Sequence, residues 1–195
     1  MQTKRLLWLG VPVLVVAALL PMSVSAGGAK HVRWDIIHLV GGAPPGPVTA
    51  GGVASASAPD GDTITLTGSG TFVAPAGSNG GSGAVTGGGT WQTSSGSGTY
   101  RVTELVSFVF ANFQSATPVL NDMIGDTNER ANGTAVLRVQ FSDGQSGVLT
   151  VGCHGPGAPP GIFEGIATTK GYKTYYAVHD PVGGVDANRT IFHVH

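Results

Sequence analysis

Four of the chain's histidines, His154, His179, His193 and His195, fall in its last quarter. His193 and His195 stand two apart in a run, 190–194, whose alternation of apolar and polar residues predicts a β-strand, so both rings leave the same face. That spacing suits a zinc-type metal, with His179 or Asp180 as a third ligand and His154 as a further candidate. A bare His-x-His has low specificity. Phe192 and Val194 are expected to face a core, which would leave the two rings on the wet side of the strand. No other cofactor is implied.

The remaining chemistry-bearing residues read as structural. Cys153 is the single cysteine, so no disulfide can form within the chain. Its neighbour His154 would point to the opposite face of a strand, which rules out a direct Cys–His dyad; Cys153 is expected to be a small buried hydrophobe. No serine sits in Gly-x-Ser-x-Gly, no Gly-x-Gly-x-x-Gly follows a strand, and no Walker sequence occurs. Asp60-Gly61-Asp62 offers too few oxygens for calcium and reads as a turn after Pro59. Asp122, Asp126 and Glu129 would suit an acid pair for glycoside hydrolysis, but the sequence does not fix their separation.

The elements that must position these groups are strands. The chain has 195 residues with 32 glycines and 12 prolines, and Ser and Thr outnumber its charged residues. Long-chain helix formers are scarce, and Thr and Gly suit strands and turns. Alternation predicts strands near 32–40, 53–58, 63–67, 71–73, 84–93, 99–110, 134–141, 147–153, 162–168, 173–178 and 190–194. On the first, Trp34, Ile36 and Val40 share a side. On 99–110, Tyr100, Val102, Val106, Phe108 and Phe110 share a face that Glu104 interrupts. Between Phe113 and Gly133 the pattern lapses. Thr117, Pro118 and Gly125 there suggest a capped short helix burying Val119, Leu120, Met123 and Ile124. The fold expected is an all-β antiparallel sandwich of about ten short strands, with a closed barrel as the alternative.

Side-chain parity fixes one register. Ala135, Leu137, Val139 and Phe141 share a strand face with Leu149, Val151 and Cys153 only if the loop between the strands has an odd number of residues. Ser142-Asp143-Gly144 then forms a three-residue loop with Gly144 in the left-handed region, pairing Leu137 with Leu149 and Ala135 with Val151. The same logic makes Pro59-Asp60-Gly61 a three-residue loop with Ala56 opposite Ile64 and Ala54 opposite Leu66. A weak internal echo relates Thr67-Gly68-Ser69-Gly70-Thr71 to Thr86-Gly87-Gly88-Gly89-Thr90. Glycines at alternate positions let a strand bend or let a ring lie flat on it. Thr63, Thr65 and Thr67 share a face with Ser55 and Ser57 opposite, an ordinary wet sheet surface.

The first 26 residues read as a secretory signal: Lys4 and Arg5, an unbroken fifteen-residue apolar or glycine stretch from Leu6 to Leu20 that Pro21 ends, and Val24-Ser25-Ala26 as a cleavage site. A spanning helix wants about 20 apolar residues. Residues 27–195 are then expected to form one secreted or extracytoplasmic domain without a membrane span. Charges of the two signs are not segregated, which argues against nucleic acid as a partner. Trp34-Asp35-Ile36-Ile37, Val148-Leu149-Thr150-Val151-Gly152-Cys153-His154, Phe163-Glu164-Gly165-Ile166 and Asn188-Arg189-Thr190-Ile191-Phe192-His193 together resemble a group of uncharacterised secreted bacterial all-β proteins. That resemblance implies a bacterial envelope or extracellular setting and no activity. The function expected is a non-catalytic β domain that binds a protein, glycan or other ligand through its loops. The alternative is a small metal-dependent enzyme or metal-binding protein using the C-terminal histidines.

Overall fold

The computed structural model describes residues 28–42, 45–75, 82–179 and 188–195, with the side chains of Val178 and His179 excepted; the expected signal peptide lies outside this range. Fourteen strands follow in order: β1 (Lys30–Leu39), β2 (Pro47–Ala50), β3 (Ala54–Ser57), β4 (Thr63–Leu66), β5 (Ser69–Ala74), β6 (Gly88–Thr93), β7 (Gly96–Phe113), β8 (Asn121–Asp122), β9 (Arg130–Phe141), β10 (Ser146–Cys153), β11 (Gly165–Lys170), β12 (Lys173–Tyr175), β13 (Ala177–His179) and β14 (Thr190–Val194). The chain is all-β, as expected. Six of the strands close an antiparallel barrel in the order β1, β14, β9, β7, β6, β5 and back to β1.

Two wings extend from this barrel. β10, β11 and β12 continue outward from β9, and β4, β3 and β13 from β6. Only Tyr176 separates β12 from β13, so the chain from Lys173 to His179 pairs first with β11 and then with β3, joining the wings. One continuous core fills the interior, with Trp34, Phe72, Phe141, Phe192, Leu105 and Leu137 among its fully buried members.

Both odd-loop registers are present. Leu137 pairs with Leu149 and Ala135 with Val151, Gly144 has φ +89°, and its N–H donates to the Phe141 carbonyl. Ala56 pairs with Ile64 and Ala54 with Leu66, with Gly61 at φ +84°. The two halves of the glycine echo lie against each other as the β5–β6 seam: the Thr67 and Thr90 hydroxyls are 2.7 Å apart, those of Thr71 and Thr86 2.8 Å. A Cβ on Gly89 would sit 2.0 Å from the Thr67 carbonyl oxygen, and one on Gly70 2.8 Å from Trp34 Nε1. The expected room for a ring therefore occurs at Gly70 beside Trp34, and the other glycines serve a close backbone approach that the sequence reading did not name.

Three expectations are corrected. Along β7, bulges between Val102 and Glu104 and between Leu105 and Ser107 shift the alternation. Leu105 is therefore buried opposite Leu137 in place of the half-exposed Val106, while Glu104 turns outward to pair with Arg138 at 2.8 Å. The expected helix at 117–125 is absent: Asn121–Asp122 instead adds to β2 as a short parallel strand, with Val119 and Met123 exposed and Leu120 and Ile124 packed inward. Tertiary contacts here outweigh local capping signals. Finally, β1 is buried on both faces from Trp34 to Ile37, and Val40 is exposed at the turn beyond Leu39. Val32, Trp34 and Ile36 face the main core, whereas Ile37 and Leu39 form a second cluster with Val48 and Ile191 on the outside of the barrel wall.

Candidate ligand site

The second apolar cluster exists because the segment after β7 folds back over β1 and β14. Gln114 N–H donates to the Arg130 carbonyl, and Met123 N–H donates to the Val48 carbonyl. Between those anchors, residues 115–122 form a roof. Asp122 pins it: one carboxylate oxygen accepts from the Ile124 and Gly125 N–H groups, and the other lies 2.9 Å from His193 Nε2. Both side chains are sealed from solvent, and His193 Nδ1 has no hydrogen-bond partner among the described residues. The His193 hydrogen bond and charge help hold the Asp122 carboxyl below its ordinary value, against the opposing effect of burial.

His193 is therefore covered by the roof and does not stand on a wet face. His195, the next residue on that face, is half-exposed and pairs with Glu129 at 2.8 Å. His154 lies elsewhere, with Nδ1 2.7 Å from the Ile162 carbonyl oxygen. The three described rings thus have separate partners, and no group of three or more His, Cys, Asp or Glu side chains among the described residues could hold a metal. The His179 side chain lies outside the described residues. The acids of the long loop are likewise engaged separately. Asp122 is bound to His193, Asp126 accepts from Asn128 N–H at the start of a 3-10 turn, and Glu129 is bound to His195. Asp60 and Asp62 form the expected turn and share Lys173, with Asp62 also accepting from Ser94 and Tyr175.

Beneath the roof lies a cavity of about 300 Å³. Ile37 and Leu39 of β1, Val48 of β2, Ile191 of β14 and Leu120 of the roof supply its apolar walls. Its polar end is built where three chain segments meet: His154 and Pro156 after β10, Glu164 before β11, and Arg189 before β14, with Gln114 alongside. Glu164 ties these segments together. One carboxyl oxygen accepts from Thr190 N–H at 2.7 Å and the other from His154 N–H. Enclosure pushes this carboxyl up to about 7 despite those hydrogen bonds and the nearby charge of Arg189. Gln114 donates to Cys153 Sγ at 3.4 Å and leaves its Oε1 buried without a partner among the described residues.

Cys153 fulfils its structural expectation. It is buried, its thiol faces the Thr190 carbonyl oxygen at 3.2 Å, and burial raises its pKa far above the range in which a thiolate nucleophile forms. The sequence reading missed Glu164, Arg189 and Gln114 as site residues. Glu164 carried a faint signal, as a carboxylate between Phe163 and Gly165-Ile166 at the start of a strand, where burial was to be expected. Nothing local marks Gln114 or Arg189, which meet only through the fold. No family model, curated protein or solved structure matches this chain.

Proposed function

We propose that the chain is an extracytoplasmic, non-catalytic β domain that holds a small, largely apolar ligand in the roofed cavity outside β1 and β14. One observation carries this reading: five aliphatic side chains line a partly open cavity of about 300 Å³, with polar groups gathered on one side. Ligand sites typically combine such apolar walls with a few placed polar groups, in volumes from about 300 Å³ upward. Loops set on a rigid β scaffold were the expected binding element, and the cavity narrows the expected protein, glycan or other ligand to a small molecule. The signal-like N-terminal pattern supports a setting outside the cytoplasm.

N-phenyl-1-naphthylamine, a small uncharged fluorophore, tests the cavity. The protein is expected to bind it saturably at one site, with the fluorescence rise that follows transfer to an apolar environment. Leu120→Trp fills the space from the roof and is expected to abolish the signal while leaving cooperative thermal unfolding in place. A parent protein that shows no saturable signal, or a Leu120→Trp variant that binds as well as the parent, rejects the reading.

A further inference from the structure

We infer that the ligand is an amphipathic acid, a hydrocarbon or aromatic tail ending in one carboxylate, with the tail against Leu39, Val48, Leu120 and Ile191 and the carboxylate at Arg189. This rests on the binding reading above and assigns its ligand class.

The argument begins with charge. The charged or titratable side chains lining the cavity are His154, Glu164 and Arg189; β1, β2, β14 and the roof contribute none. His154 and Glu164 are already engaged, the first by the Ile162 carbonyl and the second by two backbone N–H groups. Arg189 is different. It is exposed at the rim, close enough to Glu164 to favour that group's charged form, and its guanidinium makes no hydrogen bond or ion pair with a described residue. Arg33 and Arg138, by contrast, each hold a carboxylate at 2.8 Å. A guanidinium with no partner among the described residues, at the rim of an apolar cavity, matches a carboxylate in both charge and fork geometry. An amine of the same tail would bring a second cation to Arg189, and an alcohol would leave its charge unanswered.

Glu164 adds a pH dependence. An incoming carboxylate meets Arg189 on one side and the Glu164 carboxyl on the other. When Glu164 is protonated it does not repel the newcomer; when ionised it competes for Arg189 and repels the ligand. Binding of an acid should therefore weaken as pH rises from 6 to 8, while binding of a neutral ligand should not change.

Displacement of N-phenyl-1-naphthylamine by octanoate, octanol and octylamine tests the assignment on the intact protein. Octanoate is expected to compete at roughly tenfold lower concentration than octanol at pH 6, the scale of one charge-assisted hydrogen-bonded pair, and octylamine most weakly. Arg189→Ala should remove the advantage of octanoate without changing octanol, and Arg189→Lys should restore part of it. Octanol or octylamine competing as well as octanoate in the parent overturns the acid assignment and leaves the binding reading standing; an octanoate preference that survives Arg189→Ala overturns the placing of the carboxylate at Arg189. Failure of the fluorophore itself to bind removes both.

Discussion

At the scale of single residues, Glu164 concentrates the consequences. Its carboxyl is raised from 4.5 to about 7, so the folded protein holds a proton that the unfolded chain releases. The stabilisation from that proton is full below the unfolded value and is lost as pH rises towards about 7. Glu164→Gln should remove this part of the pH dependence. It should also lower stability at pH 5 by about 1–3 kcal/mol, because an amide can accept only one of the two N–H groups that the carboxyl accepts, and that deficit should shrink towards pH 8 as the parent loses its proton. Urea unfolding of parent and variant at pH 5, 6, 7 and 8 checks both effects; parallel curves would contradict the assignment. The residue stands in a recognisable sequence motif, but its partners His154 and Thr190 lie on either side of it, 10 and 26 residues away, and only the fold brings both to one carboxyl.

At the scale of elements, the roof is held by Asp122 and His193, a pair sealed on both sides. Removing one partner of such a pair strands a buried charge, typically at about 3–5 kcal/mol. His193→Ala should therefore cost that order in urea unfolding at pH 7. Asp122→Asn combined with His193→Ala should recover part of the loss, since Asn leaves no charge and still accepts from Ile124 N–H. A double variant less stable than His193→Ala would show that the pair is not what holds the roof. The sequence made some elements legible and hid others for definite reasons. Around Asp143-Gly144, parity left one register, because a slip would have moved Leu149 and Val151 off the face of Leu137 and Val139. On β7, parity failed, since the bulges that exchange Val106 for Leu105 depend on pairing with β9. At 117–125, a good N-cap and a helix-like spacing were overruled by the reach of Asp122 to His193. The ends of the His-x-His strand were read as exposed because the segment that covers His193 comes from some seventy positions earlier.

At the scale of the molecule, the seams of the barrel differ in how far the chain must travel to make them. β5 meets β6 through Ser69 and Gly88, near neighbours in sequence, whereas β1 meets β14 through Val32 and Val194. β14 is also an interior strand, paired with β1 on one side and β9 on the other. A chain stopped after Arg189 should therefore show no cooperative unfolding transition, because β1 and β9 each lose one flanking strand, the barrel is left open, and Phe192 leaves the core. A sharp thermal transition in that truncated chain would refute this. The placement of β14 also orders events in time. Polypeptides are made from the N-terminus, so β1 to β13 emerge while the barrel still has an open side, with local hairpins such as β3–β4, β6–β7 and β9–β10 able to form first. Non-local closure is the slow, entropically costly step. Until residues 190–194 arrive the chain stays unclosed and threadable, a state in which a polypeptide can still be passed through a narrow channel; their arrival locks it shut.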